Sequence, residues 1–165
     1  QDEDVVACCE TTPGVVVAAN FNAPGQVVIA GAAAAVQAAA DACKTAGAKR
    51  AVMLDVSGPF HSPLMASAKA EFAQALGAIN LQMPAIEIVQ NVSGDVPASV
   101  DQLRDNLLAQ IAEPVLWTKS VNRMVEGGVD QFVECGPGSV LGGLIRRISK
   151  TTPTTGLSSP EVHAS

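Results

Sequence analysis

From Lys49 onward, short apolar runs alternate with helix-length segments, and Gly- and Pro-containing breaks separate them. Lys49 to Val56, Ala85 to Gln90 and Gln131 to Glu134 have the length of buried strands. Parallel neighbours need a crossover helix between them, so this alternation predicts an α/β architecture with a parallel sheet. Ser62 followed by Pro63 marks a helix N-terminus, with the helix running to about Leu76. Ser99 with Gln102 three residues on reads as a capping box for a helix to about Ala112. Pro114 opens another helix that ends near Gly127-Gly128, and Gly136-Pro137-Gly138 turns into a last one, about Ser139 to Ile148. The first part differs. Asp2 to Glu10 suits a helix N-terminus, and Val15 to Ala19 and Gln26 to Ala30 read as a hairpin around Asn22-Ala23-Pro24-Gly25. An Ala-rich helix from about Ala32 to Ala46 follows, closed by Gly47. The order predicts a small α+β subdomain over residues 1–56, an α/β part over 57–150, and a Thr-, Ser- and Pro-rich mobile tail over 151–165.

Composition narrows the function classes. Hydrophobic residues make up 48% of the 165 and charged ones 16%, the reverse of a disordered chain. With four Phe, one Trp and no Tyr, the core must be built from Ala, Val, Leu and Ile. Ten basic against sixteen acidic residues give a net charge of −6, which argues against a nucleic-acid partner. No apolar run approaches the roughly 20 residues of a membrane span, and no basic segment precedes an apolar one as in a signal peptide, so a cytoplasmic protein is expected. The four cysteines (Cys8, Cys9, Cys43, Cys135) form no CxxC pair and no zinc spacing; reduced thiols and no metal site are expected.

Two histidines are present, and His163 lies in the tail. His61 falls between a strand end and a helix N-terminus, where ligands bind in open α/β sheets, and is the candidate base. A matching nucleophile is missing. No Gly-x-Ser-x-Gly elbow occurs, Ser139 lacks the second glycine, and nothing marks Cys135 as activated. The glycines from Gly136 to Gly143 lack the spacing and the Lys-Ser/Thr ending of phosphate loops, so a tight strand-to-helix turn is the better reading. Lys49-Arg50 is a basic pair beside a predicted site element, suited to a phosphate or an acidic carrier.

Several stretches together resemble bacterial malonyl-CoA:acyl carrier protein transacylases. They are Asn20 to Gly31, Gly47-Ala48-Lys49-Arg50, Gly58 to Met65, Gln90-Asn91-Val92, Gln110 with Glu113 to Thr118, and Glu134 to Leu141. They occur in family order over roughly residues 1 to 150. The resemblance implies part of an α/β-hydrolase-like parallel-sheet domain plus a partial ferredoxin-like α+β subdomain. It also implies a Ser–His acyltransferase that moves malonyl from coenzyme A to the phosphopantetheine thiol of acyl carrier protein by a ping-pong route, with no cofactor. In the family pattern His61 matches the general base. Gln110 matches the residue whose backbone carbonyl takes the place of a triad carboxylate. Asn22, Phe60, Asn91 and Val140 match positions lining the acyl and pantetheine channel, and Lys49 and Arg50 match a basic rim.

The family's amino-terminal half, with its Gly-His-Ser-Leu-Gly elbow, has no counterpart in these residues, so the chain resembles a carboxy-terminal half. Transfer by it alone is not expected. Two other readings share the motifs: an acyltransferase segment of a polyketide synthase, and a non-catalytic module that binds carrier protein or coenzyme A. The absence of a linker into another domain before Ser165 favours a stand-alone enzyme over the former.

Overall fold

A computed structural model describes residues 1–157 of the chain, and His163 lies outside them. Its elements are α1 (Asp2–Thr11), β1 (Val16–Ala23), β2 (Gln26–Gly31), α2 (Ala33–Thr45), a 3₁₀ turn (Pro63–Met65), α3 (Ala66–Gly77), α4 (Val100–Ala109), α5 (Trp117–Glu126), β3 (Phe132–Cys135), α6 (Val140–Ile148) and β4 (Thr154–Leu157). The result is a mixed α/β structure with two small sheets: β1 and β2 antiparallel, β3 and β4 parallel.

The first part folds as its local signals dictate. Asp2, Glu3 and Asp4 occupy the first turn of α1, the favourable end of the dipole for acids. Pro24 and Gly25 make the hairpin turn between the paired Ala23 and Gln26, with Gly25 at φ +72°. Helices α1 and α2 cover the hairpin through a core of Cys9, Val16, Ala35 and Ala39, with Val5, Ile29 and Val36 packed against it. Small side chains let α2 approach closely, which is what an Ala-rich helix is suited to.

Gly31 ends β2 at a point where no side chain fits. Its backbone has φ +158°, and an added Cβ would lie 2.0 Å from the Val15 carbonyl oxygen and 2.7 Å from the Val16 Cα. Those contacts are to backbone, which cannot swing away. Gly31→Ala is therefore expected to cost about 2 kcal/mol or more, read as a Tm lowered by about 4–8 °C. Gly47→Ala is the control: φ is +100° there, but the space is open, so only backbone strain of about 1 kcal/mol is expected.

A second core joins α5, β3 and α6 through Val121, Phe132 and Ile145, flanked by Trp117, Met124, Val125 and Ile148. Helix α5 begins at Trp117 rather than Pro114 because the intervening residues serve the hairpin. The Phe21 amide donates to the Val115 carbonyl (2.9 Å), and the Val115 amide to the Ala19 carbonyl (2.8 Å).

Beyond the start of α5 and the end of α4, the structure departs from expectation in three further places. Residues 49–56 and 85–89 form no strand, and most of their apolar side chains are exposed. Val52, Met53, Leu54 and Val56 are each more than half exposed, and Ile86 is 78% exposed. A parallel strand is stabilised by neighbours and by cover on both faces; among the described residues these segments find neither. The parallel sheet is accordingly reduced to β3 and β4. The second departure is the tail: residues 154–157, read as mobile, form β4 and pair with β3 in the register Phe132–Thr154 to Cys135–Leu157. Residues 158–165 of that predicted tail lie outside the described residues. The third is Ser62, which stands at the N-cap position without capping: its hydroxyl donates to the Pro59 carbonyl instead (2.6 Å).

Candidate active site

The sequence Ser57-Gly58-Pro59-Phe60-His61-Ser62-Pro63 forms a compact loop ahead of α3. Ser62 is fully buried, and its bond to Pro59 closes the loop on itself. His61 is the one non-glycine residue with positive φ among the described residues, at +58°. Such a conformation costs about 1–2 kcal/mol for a residue carrying a Cβ, and strain of this kind gathers at functional sites. The loop sets the imidazole half-buried, with Nδ1 2.7 Å from the Gln110 carbonyl oxygen. A carbonyl only accepts, so Nδ1 carries the hydrogen and donates it. The lone pair of the neutral ring is then on Nε2, the nitrogen left to take a proton.

The acceptor is available because α4 stops where it does. Ser99 caps α4 at its start, its Oγ accepting from the Gln102 amide at 3.1 Å. Gln102 completes the cap from the neighbouring position, its Oε1 accepting from the Ala98 amide at 2.7 Å. At the other end the helix stops at Ala109, three residues short of the predicted end near Ala112, and Gln110 is the C-cap. The last carbonyls of a helix have no intrahelical partner, and the Gln110 carbonyl finds His61 instead. Helix α4 is also fixed from below: buried Gln90 donates from Nε2 to the Leu103 carbonyl (3.2 Å), and its Oε1 accepts from Asn106 Nδ2 (2.8 Å). This network has no motif in the sequence. A polar Gln at the end of an apolar run was its only trace.

The other candidate residues are arranged unevenly around this pair. Asn22 lies half-buried on β1, and Asn91 half-buried in the loop after residue 90. The segment after Gln110 ties both to the histidine side: Val115 pairs with β1, and the Leu116 amide donates to the Asn91 carbonyl at 2.8 Å. Phe60 is 48% exposed, and its ring tip would lie 3.6 Å from a Cβ added at Gly58. Val140, the first residue of α6, is 73% exposed. Lys49 and Arg50 are exposed at the start of the segment that leads into the His61 loop.

The glycine-rich turn before α6 is a structural junction. Gly136 and Gly138 both take positive φ, and the Glu134 carboxylate accepts from the Leu141 (3.0 Å) and Gly142 (2.8 Å) amides. The N-terminal amides that would cradle a phosphate are already engaged. The cysteines are free thiols, with Cys9 and Cys43 buried and Cys135 exposed. Burial pushes the Cys9 thiol up to about 11, and Cys43 likewise to about 11, so both stay protonated and weakly nucleophilic near neutrality. Among the described residues no group of three His, Cys, Asp or Glu side chains could hold a metal ion. No described helix is long and apolar enough to cross a membrane. An open groove of about 580 Å³, lined by Phe21, Asp95, Leu116, Thr118 and Arg123 among others, does not include His61 or Gln110.

Residues 2–158 match the acyl transferase domain family. The chain is 46% identical over 159 residues to the malonyl CoA-acyl carrier protein transacylase of Escherichia coli K12, covering 96% of this chain and 52% of that protein. It is 40% identical over 143 residues to the Bacillus subtilis transacylase, covering 87% and 45% respectively. Among solved structures, the transacylase of Xanthomonas oryzae superposes with a TM-score of 0.91 at 41% identity, over 97% of this chain and 52% of that one. A malonyl-transacylase solved in complex with a type II polyketide acyl-carrier protein gives 0.91 at 42% identity, over 95% and 52%. The chain thus spans about half the length of the curated relatives it matches. It belongs to the acyl transferase domain family.

Proposed function

We propose that this chain supplies the base-bearing half of a malonyl transferase, moving malonyl from coenzyme A to the phosphopantetheine thiol of an acyl carrier protein. The observation that carries the proposal is the His61–Gln110 pair, a base whose ring is fixed by a backbone carbonyl. The similarity to transacylases, and to one solved with its acyl-carrier protein, supports the choice of substrates. In this reading residues 1–56 belong to a partial ferredoxin-like subdomain and residues 57–150 to part of an α/β-hydrolase-like domain. The order α1-β1-β2-α2 and the lone parallel pair β3-β4 are consistent with both assignments.

The chemistry follows from the tautomer. A serine hydroxyl supplied by sequence outside these 165 residues attacks the malonyl thioester carbon while His61 Nε2 takes its proton. The C–S bond breaks, and the imidazolium returns the proton to the departing coenzyme A sulfur. In the second half-reaction the carrier thiol gives its proton to Nε2 and attacks the serine ester, and the serine oxygen leaves with that proton. The Gln110 carbonyl holds Nδ1–H through both steps, as a triad carboxylate would, but without a full charge. No cofactor is required. Lys49 and Arg50 suit the phosphates of coenzyme A or an acidic carrier surface, while Asn22, Asn91, Phe60 and Val140 line the acyl and pantetheine channel.

Phe60, next to the base, is the residue proposed to select the acyl group. Its ring takes the volume that an α-methyl on the acyl chain would need. In a completed enzyme, Phe60→Ser is expected to raise methylmalonyl transfer relative to malonyl by about 10–200-fold, the range for one methyl in a pocket. Parallel loss of both rates, with their ratio unchanged, would make Phe60 scaffold.

The proposal is tested by mixing the chain with the unmatched amino-terminal half of the Escherichia coli transacylase and following malonyl transfer to carrier protein. Transfer by the mixture and by neither part alone supports it. A mixture that binds carrier protein or coenzyme A yet transfers nothing favours a non-catalytic binding module.

A further inference from the structure

Two tethers join the α3 region to α4: one holds the loop ahead of α3 to Gln110, the C-cap of α4, and the other holds the end of α3 to Arg104, six positions earlier. At the N-terminal side, the Gln110 carbonyl takes the His61 Nδ1–H just before α3 begins. At the C-terminal side, the Arg104 guanidinium reaches across and donates from Nη1 to the Leu76 carbonyl and from Nη2 to the Ile79 carbonyl (2.9 Å). These carbonyls lie at and just beyond the end of α3, where the dipole favours a cation; each also accepts one backbone amide, Leu76 from Ile79 (3.2 Å) and Ile79 from Leu81 (3.1 Å), and the guanidinium takes the second lone pair. Every side-chain hydrogen bond recorded for Arg104 goes to this pair, and no carboxylate bridges to it among the described residues. Buried Leu76 and Leu103 lie at the same end of the helix pair. An apolar contact tolerates sliding and rotation, whereas a forked guanidinium on two fixed carbonyls does not.

From this we infer that Arg104 is a positioning residue for His61: by clamping the far end of α3 to α4, it sets the register at which the histidine meets the Gln110 carbonyl. The inference rests on His61 being the base. Without the clamp α3 is free to pivot on α4, and the His61 loop, joined to α3 through the 3₁₀ turn Pro63–Met65, moves with it. The Nδ1–H contact then loosens, and the imidazole drifts toward the Nε2–H tautomer, which presents a hydrogen where the reaction needs a lone pair.

The experiment is nitrogen NMR of the full chain labelled in its histidines, with the His61 signal assigned by its loss in His61→Asn. Wild type should show the Nδ1–H form. Arg104→Gln should shift the tautomer ratio by about fivefold toward Nε2–H, the worth of one ordinary hydrogen bond. Arg104→Lys keeps the charge and loses the fork, and should fall between them. In the complemented enzyme, Arg104→Gln should lower kcat about tenfold with KM unchanged, since orientation and not binding is lost. A folded Arg104→Gln or Arg104→Lys chain with the wild-type tautomer ratio overturns the inference; if Arg104→Gln fails to fold, Arg104→Lys decides it. Failure of the base reading looks different: His61→Asn would keep transfer activity, whatever the Arg104 variants do to the tautomer.

Discussion

His61→Asn is expected to lower malonyl transfer in the complemented enzyme by about 10²–10⁴-fold, the usual worth of a positioned general base. The substitution is chosen for the backbone. Asn accepts φ near +58° better than most residues, and its side-chain amide can still donate to the Gln110 carbonyl. The fold should therefore be kept, with Tm unchanged, while the proton acceptor is removed. His61→Ala adds backbone strain to the same chemical loss and should lower both activity and Tm. Equal transfer by wild type and His61→Asn would remove His61 from the reaction. A Tm loss as large in Asn as in Ala would mean that the loop depends on the imidazole itself.

The second large effect concerns the exposed apolar residues Val52, Met53, Leu54 and Val56, together with Ile86. These segments are apolar, exposed and unpaired, and such surfaces promote association. In isolation the chain is expected to self-associate. In the proposed complex with an amino-terminal half, the same segments are expected to become covered strands of a larger parallel sheet. Leu54→Asp should act with opposite sign in the two situations. Alone, it should make the chain more soluble and more monomeric. In the mixture it should weaken assembly by at least about 100-fold, because an unpaired carboxylate would be buried in the new sheet. Sedimentation of the chain alone and titration of transfer activity against the added half read the two effects. Unchanged assembly by Leu54→Asp would show that residues 52–56 stay on the surface in the active complex.

How far the sequence could be read depended on where each signal resides. Helix α1, the β1–β2 hairpin and α2 are specified locally, by acids in a first turn, a Pro-Gly turn and a terminal glycine, and they formed within a residue or two of expectation, apart from β1, which runs on to the turn. The Lys49–Val56 strand was not so specified. Its apolar run is real, but a strand is completed by partners, and among the described residues none pairs with it. The tail misled for the complementary reason: Thr154–Leu157 has loop-like composition, and β3 recruits it by backbone pairing that composition does not encode. Helix α5 started late because Val115 pairs with β1, a contact with residues almost a hundred positions earlier. At the site, His61 was legible as a candidate base from its place ahead of a helix, but its pairing with Gln110 only through the family resemblance, the two being 49 residues apart. The positive φ of His61 and the clamp from Arg104 were not legible at all. Each arises from the way α3 and α4 meet, and neither leaves a spacing to find.

The proposed function divides the labour: the base on this chain, the nucleophile elsewhere. Intact-mass spectrometry after exposure to malonyl-CoA tests that division directly, with this chain alone and mixed with the amino-terminal half of the Escherichia coli transacylase. The predicted result is no malonyl adduct on this chain in either sample, and one adduct on the added half in the mixture, formed far more slowly when His61→Asn replaces wild type. A stoichiometric malonyl adduct on this chain alone would contradict the account.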